Sequence, residues 1–416
     1  MIISPAIISN IFDKEFNQKY FDLLNTYRNN IKEISISNFK EKDIINLETI
    51  NKIINIIEKI FRVQKEDKNN DKKLNSNEND NLNKINDIEI NNNNHNVKKI
   101  SFENCSILEN IDISNKFLDK IDNIISLKKI EDIMIDSISL KEHQFSDIMN
   151  YLRKKMILLK SLKINGFGSL NSHYADLDFI CNNIFEENER IEVIDLCDSF
   201  CNSSLINIFN NKSHPLREIK IKLLSNKSDT NWNFLNKSVN TLELFEIEIK
   251  ETKNSNLNNL IKILNEMKKL KTLKIVGGLE FHELICFRNF ETIENLNICF
   301  DHNFICIDKE DIEYFSYFHN LKSLAISSKK MPIFNFFLPN FKLPKKLSRI
   351  SFTNIKGENI VKSLTDNIKN LSLLEELKVD DAEFNEFDFM KLVKLLSSFN
   401  ALDIKKNKIY YDLLLI

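Results

Sequence analysis

The chain has 416 residues, of which 58 are basic and 60 acidic, for a formal charge of -2. That balance excludes a global positive field able to gather nucleic acid or an anionic membrane. An apolar content of 42% suits a folded protein, and the length suffices for two or three ordinary domains or for one solenoid.

Taken in chain order, Met1–Phe12 is apolar but lacks a basic leader and contains Pro5 and Asn10, which makes a poor signal peptide. Ile11–Tyr27 has the pattern of a helix, and residues 1–30 are expected to form an N-terminal helical cap. From residue 31 a phrase recurs, apolar-x-x-apolar-x-apolar, with starts at Ile31, Val97, Ile130, Leu159, Ile191, Leu216, Val239, Leu270, Ile293, Leu321, Leu347, Leu374 and Phe399. The eleven steps from Val97 to Phe399 average about 27 residues, the period of a repeat architecture. The alternation inside the phrase, as in Leu296-Asn297-Ile298, is that of a strand.

The interval from Ile31 to Val97 is over twice the mean. It holds an apolar helical stretch at Ile44–Phe61 and then Lys65–Asn96, dominated by Asn, Lys, Asp and Glu. The latter buries too little apolar surface to offset ordering entropy and reads as a disordered low-complexity insertion at about residues 65–96. Later intervals are expected to hold amphipathic helices, most clearly at Leu257–Leu270 and Asn385–Phe399, and also at Asp308–Leu321 and Lys356–Leu371. The apolar end Ile409–Ile416 is expected to cap the last repeat, because an open solenoid end exposes core.

The phrase and its spacing resemble leucine-rich repeats of the ribonuclease-inhibitor-like class, over roughly Ile31 to the C-terminus. The resemblance implies an α/β fold: a horseshoe-shaped solenoid over 31–416, with a parallel concave sheet and outer helices. The Asn or Cys expected after the strand stands at Cys105 and Asn407, while other residues replace it elsewhere. The abundance of Asn, Ile and Lys, with 31 Phe against one Trp, five Gly and five Pro, follows A/T-rich codons of the kind used by unicellular parasites such as microsporidians.

In such a sheet the residues between the apolar positions point outward. The central outward column then includes Lys163, Asp195, Lys220, Glu243 and Lys274, whose alternating signs suit either an ion ladder or a charged docking strip. In the next column Phe245, Val276 and Cys299, with Phe300 beside them, are expected to form an exposed apolar patch for a protein partner.

Chemistry is sparse. Gly166 and Gly168 form only G-x-G, and Gly277-Gly278 stands alone, so no phosphate-binding or dinucleotide loop is present. Seven scattered Cys define no disulfide framework. Cys299, His302 and Cys306 come nearest to a metal cluster, with Cys197 and Cys201 as a second pair. Cys197 and Cys299 fall four strands apart, too far to share a zinc ion. We expect no catalytic residue, metal, cofactor, small-molecule substrate, nucleic acid or membrane partner. No stretch reaches the roughly 20 apolar residues that span a bilayer. The expected role is a non-catalytic scaffold binding a protein on the concave face, inside the cell, in the cytoplasm or nucleus. Two alternatives stand beside it. Pro5–Phe12 resembles the opening of an F-box, which implies a ubiquitin-ligase substrate adaptor. Cytosolic leucine-rich repeats also occur in GTPase activators.

Overall fold

The structure, a computed structural model, describes residues 2–3, 31–37, 47–62, 97–103, 111–136, 151–152, 154–165, 190–201, 216–225, 232–251, 257–279, 281–300, 314–328, 333–334, 342–356, 366–380, 390 and 394. The chain divides into two compact units, Met1–Ile191 and Glu192–Ile416.

The first unit contains β1 (Ile2–Ile3), β2 (Glu33–Ser37), β3 (Lys99–Glu103), β4 (Asp132–Asp136) and β5 (Ser161–Asn165), paired in chain order. Every pair is parallel, with Ile34, Ile100, Ile133 and Leu162 in register. These four and the row Ile36, Phe102, Ile135 and Ile164 face the interior. A third row, Val97, Ile130 and Leu159, is buried just before the strands. Parallel neighbours require a crossover. Here α1 (Leu47–Arg62) links β2 to β3 and α2 (Ile111–Ile125) links β3 to β4. The two helices pack on each other, with Lys120 Nζ donating to Asn51 Oδ1 at 2.9 Å. Ile53, Ile56 and Ile57 of α1, and Phe117, Leu118, Ile121, Ile124 and Ile125 of α2, are buried at three- and four-residue spacing. Phe117 meets Phe102 edge-on at 6.4 Å, which ties helix to sheet. The helix expected at Ile44–Phe61 is therefore present. Ile2–Ile3 adds a parallel rung beside Ser35 and Ile36 that the pattern did not announce. The expected helix at Ile11–Tyr27 and the insertion at 65–96 lie outside the described residues.

The second unit contains β6 (Val193–Cys201), β7 (Glu218–Ser225), β8 (Leu244–Glu251), β9 (Thr272–Val276), β10 (Asn295–Phe300), β11 (Ser323–Ser328), β12 (Ile333–Phe334), β13 (Arg349–Thr353), β14 (Ile355–Lys356) and β15 (Glu376–Asp380). Its main sheet runs β6-β7-β8-β9-β10-β11-β13-β15, all parallel, while β12 and β14 form a separate two-stranded ribbon. Three apolar ladders line the interior. The first is Leu216, Leu242, Leu270, Ile293, Leu321, Leu347 and Leu374. The second is Ile194, Ile219, Phe245, Leu273, Leu296, Leu324, Ile350 and Leu377. The third is Leu196, Ile221, Ile247, Ile275, Ile298, Ile326 and Phe352. Stacked strand-connection-strand units of this kind, each covering the apolar face of the next, are the leucine-rich-repeat architecture.

One rung departs from the expected register. Val239-x-x-Leu242-x-Leu244 and Leu242-x-x-Phe245-x-Ile247 both satisfy the phrase, and the chain adopts the second. Phe245 pairs with Leu273, and Leu244 with Thr272. This choice buries a phenyl ring, 0% exposed, against Trp232, whose indole meets it edge-on at 6.3 Å. It also evens the spacing of the second ladder, which becomes 26 residues from Ile219 to Phe245 and 28 from Phe245 to Leu273.

The described parts of the connections in this unit hold short helical segments. Its longest described helix is α3 (Asn258–Asn265), followed by α4 (Phe281–Leu284), a 3-10 segment at Asn233–Ser238 and another at 314–317. Of the helix expected across Leu257–Leu270, Asn258–Asn265 is present as α3, and the chain turns over 266–270 before entering β9. Of the stretches expected to be helical at Asp308–Leu321 and Lys356–Leu371, the described parts are a 3-10 turn and a helical turn at 366–368. From Asn385–Phe399 only residues 390 and 394 are described.

Polar side chains reach between repeats to satisfy the turns. Buried Asn289 donates to Leu264 O at 3.3 Å and Met267 O at 2.6 Å, and Ser238 Oγ accepts the Leu216 N–H at 3.1 Å. The carboxylate of buried Glu283 accepts the Leu257 N–H at 2.9 Å, placing negative charge at the start of α3, where the helix dipole favours it. The Tyr314 hydroxyl donates toward Leu284 O and Phe287 O at 2.8 and 3.0 Å. Burial holds its pKa well above the ordinary tyrosine value. Gly277 and Gly278 turn the chain out of β9 with φ of 78° and 70°, a region where a Cβ is costly. That geometry accounts for a Gly-Gly pair that carries no phosphate-binding motif.

Candidate functional site

The side of each sheet away from the ladders presents aligned columns of side chains, because strands in parallel register place equivalent residues about 4.8 Å apart. In the second unit one column runs along the leading margin, where the chain enters each strand: Glu192, Arg217, Glu243, Lys271, Glu294, Lys322, Ser348 and Glu375. Backbone bonds fix its order. The Glu243 N–H donates to Arg217 O, Lys271 to Glu243, Glu294 to Lys271 and Lys322 to Glu294, each at 2.8–2.9 Å. Charge alternates along the first six members. Arg217 lies 3.9 Å from Glu192, Lys271 3.8 Å from Glu243, and Lys322 2.6 Å from Glu294. The hydrogen bond from Lys322, aided by Lys271, holds the Glu294 carboxyl below its usual range.

The central outward column is Asp195, Lys220, Glu246, Lys274, Asn297, Ala325, Ser351 and Lys378. Lys220 pairs with Asp195 at 3.1 Å, and Lys274 with Glu246. In the next column Lys222 pairs with Glu248 at 3.1 Å, followed by Val276, Cys299, Ser327 and Thr353. Over β6 to β9 the charges thus neutralise one another from rung to rung. Over β10, β11 and β13 the face is uncharged in these two columns. Partly exposed pairs of this kind contribute at most about 1 kcal/mol each, so they shape the surface more than they hold the fold.

This geometry relocates several of the expected site residues. Phe245 is a core residue, and Phe300 is 2% exposed. Cys299 faces outward at 7% exposure and Val276 is half-buried. No exposed apolar patch forms from the four. The slipped reading of β8 is the cause for Phe245, and the same slip moves Glu243 to the leading margin and leaves its expected place to Glu246. The alternative phrase beginning at Leu242 was the available signal for Glu246. Asp195, Lys220 and Lys274 keep the central column in the second unit, and Lys163 holds the equivalent position on β5 of the first unit. A further irregularity sits in β6, where the register jumps between Leu196 and Phe200, so Phe200 and not Cys197 pairs with Lys222.

Among the described residues no three His, Cys, Asp or Glu side chains are grouped to hold a metal. His302 and Cys306 lie outside them, as does the F-box-like segment Pro5–Phe12. No described helix is long and apolar enough to cross a membrane.

No protein-family model matches the chain, and no curated protein matches it. Among solved structures the chain is similar to an LRR protein of Leptospira interrogans, with a TM-score of 0.41 and 11% identity, over 92% of this chain and 90% of that one. The leucine-rich-repeat architecture described above stands on the strand pairing and the three buried ladders.

Proposed function

We propose that the chain is a non-catalytic protein-interaction scaffold that recognises a partner on the outward face of its sheet. The observation that carries this reading is the division of that face in the second unit. From β6 to β9 its carboxylates are held by lysines of neighbouring rungs. From β10 to β13 it presents a level run of small uncharged side chains, Asn297, Ala325 and Ser351, in strict register. Groups locked in ion pairs suit a surface that fixes orientation rather than one that moves protons. Narrower roles, as a ubiquitin-ligase adaptor or a GTPase activator, rest on Pro5–Phe12 and on fold analogy respectively.

The test is a bulky cation at the centre of the level run. Ala325→Arg should leave the thermal transition within a few degrees of the parent and remove the principal partner recovered by affinity purification. Undiminished recovery would move recognition off this face.

A further inference from the structure

The leading margins of the two units differ in charge. In the second unit the signs alternate and each of the first three cations has an acid on a neighbouring rung. In the first unit the equivalent residues are Lys32, Lys98, Glu131 and Lys160. Their order is fixed by Lys98 N–H to Lys32 O at 2.9 Å, Glu131 N–H to Lys98 O at 2.8 Å and Lys160 N–H to Glu131 O at 2.6 Å. The row holds three lysines and one carboxylate. Glu131 already accepts both Lys98, at 2.5 Å, and Lys160, at 2.7 Å, and these two hydrogen bonds hold its carboxyl below the usual range.

The turn leading into β4 adds Lys128 and Lys129, both exposed. Lys32 and Lys128 make no ion pair among the described residues. The turn one repeat on has the same backbone closure: Ile130 N–H to Leu127 O at 3.1 Å in one, Leu159 N–H to Met156 O at 3.3 Å in the other. In it Ile157 and Leu158 take the places of Lys128 and Lys129, and Ile157 is 56% exposed. The margin therefore juxtaposes surplus lysines with an uncovered aliphatic side chain.

We infer that this margin of the first unit is a docking strip for an acidic polypeptide segment that also carries an apolar side chain, the carboxylates facing Lys32, Lys98 and Lys128 and the apolar group covering Ile157. The inference rests on the scaffold reading and names the chemistry of one partner contact. Charge complementarity selects an anionic occupant. Among the described residues the strip Lys32, Lys98, Glu131, Lys160, Lys128 and Ile157 holds no aromatic platform on which bases stack, which disfavours a single-stranded nucleic acid. A row one strand-end wide, broken by Glu131, disfavours a membrane, which draws on clusters of basic residues.

The experiment uses the full chain and three probes: a labelled Asp/Glu-rich peptide containing leucine, vesicles containing phosphatidylserine, and single-stranded RNA. The intact protein should bind the peptide in preference to the other two, with affinity falling as salt rises. Lys32→Glu with Lys128→Glu should weaken it roughly tenfold. The control pair Lys268→Glu with Lys269→Glu, on a turn of the second unit, should leave it unchanged. Equal binding by the Lys32/Lys128 variant, equal loss in the control, or preference for vesicles or RNA would each overturn the strip. If the peptide fails to bind while Ala325→Arg still removes the captured partner, the strip falls and the scaffold reading stands. If peptide binding follows the lysines while Ala325→Arg changes nothing, it is the outward face that falls.

Discussion

The first and second units are built on the same apolar ladders but join their strands differently. The step from Ile100 to Ile133 in the first unit is 33 residues, room for the 15-residue α2, about 22 Å long, and the return to the sheet. In the second unit the steps between second-ladder residues run from 23 to 28, and the longest described helix has eight residues. The strand phrase is thus common to both units, while the longest helices among the described residues, α1 and α2, lie in the longer steps of the first unit. The margins diverge as well. Lysines outnumber acids in the first unit, whereas signs alternate in the second.

Removing a ladder side chain should have the largest effect and be comparable in both units. Phe245→Ala should cost about 3–5 kcal/mol and Leu162→Ala about 2–5 kcal/mol, because each leaves a cavity among fully buried neighbours. Leu244→Ala, one residue from Phe245 but outside the ladder, should cost under about 1 kcal/mol. Denaturant titration measures all three. The single Trp232, buried against Phe245, supplies a fluorescence signal local to the second unit. A Leu244→Ala loss equal to that of Phe245→Ala would contradict the register of β8 against β9.

Next in size is the tight exit from β9. Gly277→Ala should destabilise by about 1–2 kcal/mol, since φ of 78° crowds a Cβ against the following carbonyl. A neutral result would remove the argument that this repeat turns on backbone freedom.

The smallest effects should differ in sign. Lys271→Glu in the second unit would set three carboxylates on consecutive rungs, Glu243, position 271 and Glu294, and should destabilise by up to about 1 kcal/mol at low salt. Lys32→Glu in the first unit would create an alternating margin through Lys98, Glu131 and Lys160, and should stabilise by a few tenths of a kcal/mol. High salt should shrink both shifts. Shifts of the same sign would show that the margins do not differ electrostatically as described.

What the sequence made legible follows the strength of each periodic signal. Leu270-x-x-Leu273-x-Ile275 and its neighbours admit a single reading, because every other apolar residue nearby breaks the alternation. At Val239–Ile247 two overlapping phrases compete. The packing of Trp232, a residue outside either phrase, and the more even ladder spacing go with Phe245 rather than Leu244 in the interior. Ile2–Ile3, Ile333–Phe334 and Ile355–Lys356 are too short to display any period and are recognised by their pairing. The outward columns were readable wherever the phrase was, so Asp195, Lys220 and Lys274 were placed and Glu246 was missed. The clamps made by Ser238, Glu283, Asn289 and Tyr314 depend on contacts across 22 to 30 residues, which no local pattern reports.

The register of β8 against β9 can be read directly by cysteine pairing. Residues 246 and 274 face the same side on adjacent rungs, within the Cα separation that a disulfide spans. Glu246→Cys with Lys274→Cys should lose two alkylatable thiols on mild oxidation relative to either single variant, while Glu243→Cys with Lys274→Cys should keep both. Crosslinking of the second pair and not the first would contradict the ladder on which the fold, the outward face and its charge pattern all depend.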